Sequence, residues 1–207
     1  MLESALSLGL VLGLRHASDA DHVCAIASLL RAGQGFRAAV RTALLWSLGH
    51  SATFFAVGAV LVGGQLSVPD AWEPVMELLV AVLLIVLGAV QWHHADCPLP
   101  ESPEHAKPHS WRVVMVGFVH GLAGSAGIAL LALATVHERL AAFLFLLLFG
   151  VGVSVGMVLL TILLSLPLGF VVRNSERWRA RILKTTSALG IGLGAWMGVS
   201  GLQALLG

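Results

Sequence analysis

Six long apolar runs are the feature that most constrains what this chain can fold into. They cover roughly residues 3–30, 40–64, 73–92, 111–136, 140–171 and 183–206 of the 207. Each run is far longer than a β-strand, and about 20 apolar residues let a helix cross the hydrocarbon core of a bilayer. A helix also satisfies its own backbone groups in lipid. The runs therefore predict an all-α, polytopic membrane protein of about six transmembrane helices, with a single transmembrane domain over residues 1–207.

The composition supports lipid as the solvent of this chain. Hydrophobic residues make up 57% of the sequence and charged residues only 11%, whereas soluble domains have about 25% charged residues. The formal net charge of +1 gives no basic surface for a nucleic acid. We therefore expect the lipid bilayer as a partner and no nucleic acid. Cys24 and Cys97 lie far apart in the chain and form no CxxC pair.

The basic residues predict the orientation in the membrane. Ten of the twelve Lys and Arg residues lie in or beside the connections that follow the first, third and fifth runs: Arg31, Arg37, Arg41, Lys107, Arg112, Arg173, Arg177, Arg179, Arg181 and Lys184. The opposite side has only Arg139. Cytoplasmic loops carry the excess of Lys and Arg. The bias predicts a multi-pass protein of the cytoplasmic (inner) membrane with both termini outside.

Short internal matches predict a repeat. Residues 13–17 resemble residues 117–121, and Leu87-Gly88-Ala89 matches Leu193-Gly194-Ala195, so the offsets are 104 and 106 positions. Three helices in each copy would make the second copy inverted, an architecture that places the substrate of a transporter near the bilayer midplane. The predicted division is repeat one over 1–92, a cytoplasmic His-rich loop over 93–110 and repeat two over 111–207.

The strongest chemical signal is the string Arg15-His16-Ala17-Ser18-Asp19-Ala20-Asp21-His22 within the first run. A charge at the bilayer centre costs at least ~2.5 kcal/mol, so such a cluster indicates a functional site. Imidazole nitrogen and carboxylate oxygen suit first-row divalent metals such as nickel, cobalt and zinc. The alternative is a buried ion-pair network that only locks helices together.

Helical geometry limits how this string can bind an ion. His16, Asp19 and His22 fall within an arc of about 120° on a straight helix, whereas Asp21 points elsewhere. Arg15 precedes Asp19 by one turn, which predicts an ion pair between them. A straight helix therefore cannot aim His16, Asp21 and His22 at one ion. Either the helix unwinds within the string, or other helices complete the site.

Two further histidines lie inside apolar runs. His50 in the second run has a depth similar to that of the first string, and His120 in the fourth run is the repeat counterpart of His16. Either could instead bond to a carbonyl group of a neighbouring helix. The predicted metal site comprises His16, Asp19, Asp21, His22, His50 and His120. We expect the small residues beside His120, namely Gly121, Gly124, Ser125 and Gly127, to allow close helix packing.

The third connection is polar and rich in histidine. It holds His93, His94, Asp96, Cys97, His105 and His109. Such tracts can bind metal, and on the cytoplasmic side this one could collect arriving ions. A solvated linker without a function explains the composition equally well.

The string from Arg15 to His22 resembles the hallmark motif of the nickel/cobalt transporter (NiCoT) family, Arg-His-Ala-x-Asp-Ala-Asp-His. Gly49-His50-Ser51 is similar to a second motif of that family. The resemblance implies that His16, Asp21 and His22 are the core metal determinants and that Asp19 and His50 assist. A later family motif is only loosely matched, with Ser125 in place of an Asp. The chain thus resembles a short, divergent relative of a family whose members typically have about eight helices.

The leading hypothesis is a secondary permease for nickel or cobalt ions, which are the substrate, so that no cofactor is expected. A cytoplasmic metallochaperone is a candidate partner. One alternative is efflux of the same ions. Another is an intramembrane metalloenzyme, although no additional general base stands at a defined spacing. A redox membrane protein would need a pair of cysteines inside the membrane, and only Cys24 lies in an apolar run.

Overall fold

The computed structural model describes residues 2–30, 35–64, 69, 71–97, 110–122 and 138–206, and the regular structure in these ranges is entirely helical. The helices are α1 (Leu2–His16), α2 (Ala20–Leu29), α3 (Phe36–Gly64), α4 (Trp72–His94), α5 (Ser110–His120), α6 (Arg139–Asn174) and α7 (Glu176–Leu206). The prediction of an all-α protein is confirmed for this part of the chain.

Four of the described helices are long and apolar enough to cross a membrane. They are α3, α4, α7 and the segment Leu140–Ser165 of α6. Their outward faces carry large apolar side chains, among them Leu48, Leu163 and Trp196, each more than 60% exposed. Apolar surface of this extent is typical of contact with lipid. The chain is therefore an integral membrane protein that crosses the bilayer several times.

The first predicted span is not one continuous helix. The helix α1 ends at His16 and α2 begins at Ala20. The side chains of Ser18 and Asp19 compete with helical hydrogen bonds, and the Ser18 hydroxyl donates to the Arg15 carbonyl at 2.6 Å. The backbone N–H groups of Ser18 and Asp19 close short turns onto Arg15 and His16. Of the two geometries expected for the string, the unwound one is present.

The fourth predicted run begins as expected with α5, which ends at His120. Residues 123–137 lie outside the described part of the chain, and the predicted small-residue face at Gly124, Ser125 and Gly127 lies among them. Gly121 is described, and its predicted role in close packing is confirmed. A Cβ atom there would overlap the backbone of His50 on α3.

Backbone-to-backbone packing at glycines holds the helices around the centre of the protein. The helix α1 packs on α6, α5 packs on α3, and α3 also packs on α6. A Cβ atom at Gly13 of α1 would overlap the carbonyl oxygen of Phe149 in α6, and one at Gly117 of α5 would overlap that of Trp46 in α3. Small residues of this kind let helices approach closely in lipid, where van der Waals contact drives association.

A second bundle forms where α4 packs on α7 and α2 joins both. Gln91 of α4 links the three helices. Its carbonyl oxygen accepts hydrogen bonds from Ser28 of α2 and Ser187 of α7, both at 3.1 Å, and its amide donates to the Ala27 carbonyl at 2.9 Å. Gln91 and Ser187 are buried and Ser28 is half-buried, and the network satisfies both the oxygen and the nitrogen of the Gln91 amide.

We expect Gln91→Ala to lower the free energy of unfolding by about 1–2 kcal/mol, because interhelical hydrogen bonds in membranes are worth about that much or less. Titration with sodium dodecyl sulfate in mixed micelles measures the change. The matched control is Gln203→Ala, since Gln203 is an exposed glutamine on α7. Equal stability of the two variants would mean that the network contributes nothing.

Candidate metal centre

The break between α1 and α2 brings two histidines of one chain segment together. His16 ends α1 and His22 lies in the first turn of α2, and their ring centroids are 4.5 Å apart. On a straight helix, two residues six positions apart would be separated by about 9 Å along the axis. The unwound turn therefore converts a linear motif into a cluster.

Two other helices complete the cluster. His50 comes from the middle of α3, and its Nε2 atom lies 3.2 Å from Nε2 of His16. The helix α5 ends on His120, whose ring centroid is 4.5 Å from that of His22. Four imidazoles from four helices thus meet at one place. Both expected ways of completing the site, an unwound helix and contributions from other helices, occur together.

The cluster is shielded from the surroundings. His22, His50 and His120 are at most 1% exposed, and His16 and Asp21 are 5% and 6% exposed. Burying polar groups is costly unless they find partners. The sequence concentrates this cost at a single place, which is typical of a functional site.

Two carboxylates accept hydrogen bonds from imidazoles of the cluster. Asp21 accepts hydrogen bonds from Nδ1 of His22 and from Nε2 of His120, both at 3.1 Å. Asp19 accepts one from Nδ1 of His16 at 3.1 Å, although its side chain is 39% exposed. The predicted ion pair between Arg15 and Asp19 is wrong, because Asp19 turns to His16 and Arg15 lies on the exposed side of α1.

Among the described residues, two sets of three side chains could each hold an ion, because the potential ligand atoms within a set lie within 4.8 Å of one another. One set comes from His16, His22 and His50, and the other comes from Asp21, His22 and His120. Two nitrogens that bind one ion at about 2.0–2.1 Å, with an angle of roughly 90–110°, lie about 2.9–3.4 Å apart. The 3.2 Å between the Nε2 atoms of His16 and His50 falls within that interval.

Several nitrogens of the cluster are free to accept an ion. Nε2 of His22, Nδ1 of His50 and Nδ1 of His120 are buried and have no hydrogen-bond partner among the described residues. Buried polar atoms are rarely left unpaired in folded proteins, so each such case calls for an explanation. A metal ion at Nε2 of His22 would provide one.

Two aromatic residues line the centre that the sequence did not mark as part of it. The ring of Trp46 lies 5.6 Å from that of His22 and 5.5 Å from that of His120. Phe149 of α6 lies 5.4 Å from His16. Trp46 stands one helical turn before His50, which is a usable signal. Phe149 is far away in the sequence and gives none.

The described part of the His-rich connection does not assemble a ligand group. His93 and His94 form the last turn of α4, and His94 donates to the carbonyl oxygen of Val90 at 2.6 Å. Asp96 pairs with Lys184 at 2.9 Å, and Arg179 donates to the carbonyl oxygen of Cys97 at 2.7 Å. His105 and His109 lie outside the described residues. Metal collection by this loop stays a prediction.

Comparison with known proteins agrees with this geometry. Residues 3–95 match the model of a family described as NicO, high-affinity nickel-transport protein. The match confirms the resemblance to nickel transporters. It covers the string from Arg15 to His22 and also His50, and it indicates a transporter rather than an enzyme.

The chain is also similar to a urease accessory protein, UreH, of Bacillus sp. (strain TB-90). The two are 28% identical over 182 residues, and the alignment covers 80% of this chain and 78% of that protein. No solved structure matches the chain.

Proposed function

We propose that this protein is a secondary transporter that moves divalent nickel, cobalt or both across the cytoplasmic membrane. The observation that carries the proposal is the buried meeting of four imidazoles and a carboxylate from four helices. Nitrogen and oxygen donors of this kind suit nickel and cobalt. The match over residues 3–95 to a family described as nickel-transport proteins supports the same cargo.

The proposed site comprises His16, Asp19, Asp21, His22, His50 and His120. An ion that enters the bilayer must replace its water shell, and the imidazole nitrogens supply the substitutes, two of them 3.2 Å apart. The negative charges of the two aspartates offset the double positive charge of the ion. The ion in turn offsets the cost of holding carboxylates at this depth.

The proposed architecture is six transmembrane segments in two inverted repeats, and paired helix contacts support it. Gly49 of α3 faces Val114 and Phe118 of α5. Gly152 of α6, 103 positions after Gly49, faces Leu10 and Leu14 of α1, which lie 104 positions before Val114 and Phe118. The aromatic neighbours of the centre follow the same offset. Trp46 lies beside His120, and Phe149 lies beside His16.

The contacts between α4 and α7 in the second bundle also recur at a constant offset with the two repeats exchanged. Gly88 of α4 faces Ser187 and Ile191 of α7, and 106 positions later Gly194 of α7 faces Ala81 and Ile85 of α4. A contact and its counterpart with the roles of the repeats exchanged are what a pseudo-two-fold axis produces. This symmetry supports a mechanism in which one repeat rocks against the other around a fixed midplane site.

The excess of Lys and Arg after the first, third and fifth segments supports a cytoplasmic position for these connections. Both termini then lie outside. The side-chain contacts of Arg179 and Lys184 with Cys97 and Asp96 join two of these connections on one side.

We expect purified protein in liposomes to carry nickel into the lumen when nickel is the only substrate offered. A fluorescent nickel chelator trapped inside measures the flux, and empty liposomes give the background. Cobalt in competition would slow the flux if both ions use one site. Flux equal to that of empty liposomes would contradict the proposal. Cellular nickel content with and without expression then decides the direction, since uptake raises it and efflux lowers it.

A further inference from the structure

We propose that Asp19 and Asp21 do not bind the ion but act as positioning residues that set the tautomers of His16 and His22. The ion is then held by imidazole nitrogens alone, from His16, His22 and His50. This inference rests on the proposed function only in that the cargo is a divalent transition-metal ion at this centre. It selects the set of His16, His22 and His50 and gives Asp21, which belongs to the other set, a positioning role.

The hydrogen bond between Asp21 and His22 fixes which nitrogen of His22 is free. An ionised carboxylate has no proton to donate, so it can only accept. The 3.1 Å contact of Oδ1 therefore requires the proton of His22 on Nδ1. The lone pair is then on Nε2, which is the buried atom of this ring without a hydrogen-bond partner among the described residues. The carboxylate thus aims a neutral imidazole at the ion.

The second oxygen of Asp21 is also engaged. It accepts a hydrogen bond from Nε2 of His120 at 3.1 Å. Both oxygens of the carboxylate are therefore used inside the cluster, and an ion that bound Asp21 would have to share an oxygen with one of these hydrogen bonds. Two hydrogen bonds already join Asp21 to His22 and His120, and His120 braces the carboxylate.

The same logic applies to His16. Asp19 accepts from Nδ1 at 3.1 Å, which leaves the lone pair of His16 on Nε2. That atom faces Nε2 of His50 at 3.2 Å. Without an ion, a proton on Nε2 of His50 can bridge the two rings. An ion that displaces this proton finds two nitrogens already at ligand spacing. The proton can move to Nδ1 of His50, which has no hydrogen-bond partner among the described residues, so the ring stays neutral.

The three ligands differ in how firmly they are oriented. His16 and His22 each have a carboxylate on the opposite nitrogen, whereas Nδ1 of His50 has no partner among the described residues. Three neutral nitrogens favour nickel, cobalt and copper over calcium and magnesium, which prefer oxygen ligands. The carboxylates compensate the charge of the ion through the imidazoles that they contact, without touching the ion themselves.

Pulsed electron paramagnetic resonance of the Cu²⁺-loaded, detergent-purified protein tests the ligand set. Cu²⁺ serves as the paramagnetic probe, and the aspartates carry ¹³C in their carboxyl groups. We expect couplings from the remote nitrogens of coordinated imidazoles and no strong ¹³C coupling. A strong ¹³C coupling, which a directly bound carboxylate produces, would overturn the proposal. This measurement on the wild-type protein does not depend on whether any variant folds.

The variant Asp21→Asn supplies a second readout. The amide keeps the size of the side chain but presents one acceptor and one donor. One of the two histidines must then accept instead of donate, and its proton moves to the other ring nitrogen. We expect nickel affinity to fall about 10–100-fold, as for other partners of metal-binding histidines, while the imidazole couplings persist. The control is Glu176→Gln, which removes an exposed carboxylate at the start of α7. An unchanged affinity in Asp21→Asn would overturn the positioning role.

The two proposals fail separately. Nitrogen-only ligation without nickel flux in liposomes would refute transport and leave the ligand assignment intact. Nickel flux together with a directly bound carboxylate would refute the ligand assignment and leave transport intact.

Discussion

His22→Ala should abolish nickel transport. His22 belongs to both sets of potential ligand atoms, so its loss removes a nitrogen whichever set holds the ion. The side chain is fully buried, and the hole left by the imidazole lies between His16 and Trp46. We expect nickel affinity to fall by more than about 100-fold, beyond the effect of losing a residue that only orients a ligand. Isotope uptake into liposomes and equilibrium binding measure the two effects.

The matched control for this variant is His94→Ala. His94 is an exposed histidine at the end of α4, and it donates to a carbonyl oxygen of its own helix. Membrane levels of both variants should equal that of the wild-type protein by immunoblot. Wild-type flux through His22→Ala at equal membrane levels would refute the proposed site.

Gly13→Ala should destabilise the protein strongly. The added methyl group would overlap the carbonyl oxygen of Phe149, and backbone atoms cannot move aside as the end of a flexible side chain can. We expect a loss of about 3 kcal/mol or more in the free energy of unfolding, at the upper end for overpacked interiors. Gly117→Ala should have a similar effect, because the added methyl group would overlap the carbonyl oxygen of Trp46 where α5 crosses α3. Thermal unfolding in detergent measures both.

The control for these glycines is Gly192→Ala. A Cβ atom there would have no neighbour within 4 Å in the described part of the chain, and Gly192 lies on the exposed face of α7. Alanine in an exposed helix interior is favoured over glycine by roughly 0.5–1 kcal/mol, so this variant should be as stable as the wild-type protein or slightly more stable. Equal behaviour of Gly13→Ala and Gly192→Ala would mean that the helices do not cross as described.

The helices could be predicted from the sequence because hydropathy is a local property. Four of the six predicted runs contain a long apolar helix, with ends that differ by several residues. The break after His16 was one of two geometries that the motif allowed. On a straight helix, His16, Asp21 and His22 could not face one place. The chain brings them together because it unwinds between α1 and α2.

The residues of the candidate site could also be named from the sequence, whereas their arrangement could not. Imidazoles inside apolar runs stand out by their cost in lipid, which identified His50 and His120 together with the first motif. The contact of Phe149 with His16 depends on where α6 crosses α1, and no local pattern determines that crossing. The partner of Asp19 was wrongly predicted as Arg15 for a different reason. Helical spacing applies only along a continuous helix, and α1 ends at His16, so Asp19 pairs with His16 instead.

A structure of the nickel-loaded protein, with anomalous scattering recorded at the nickel absorption edge, tests the central claim most directly. We expect an anomalous peak at about 2.0–2.1 Å from nitrogens of His16, His22 and His50. A nickel-saturated crystal without a peak among these three imidazoles would contradict it.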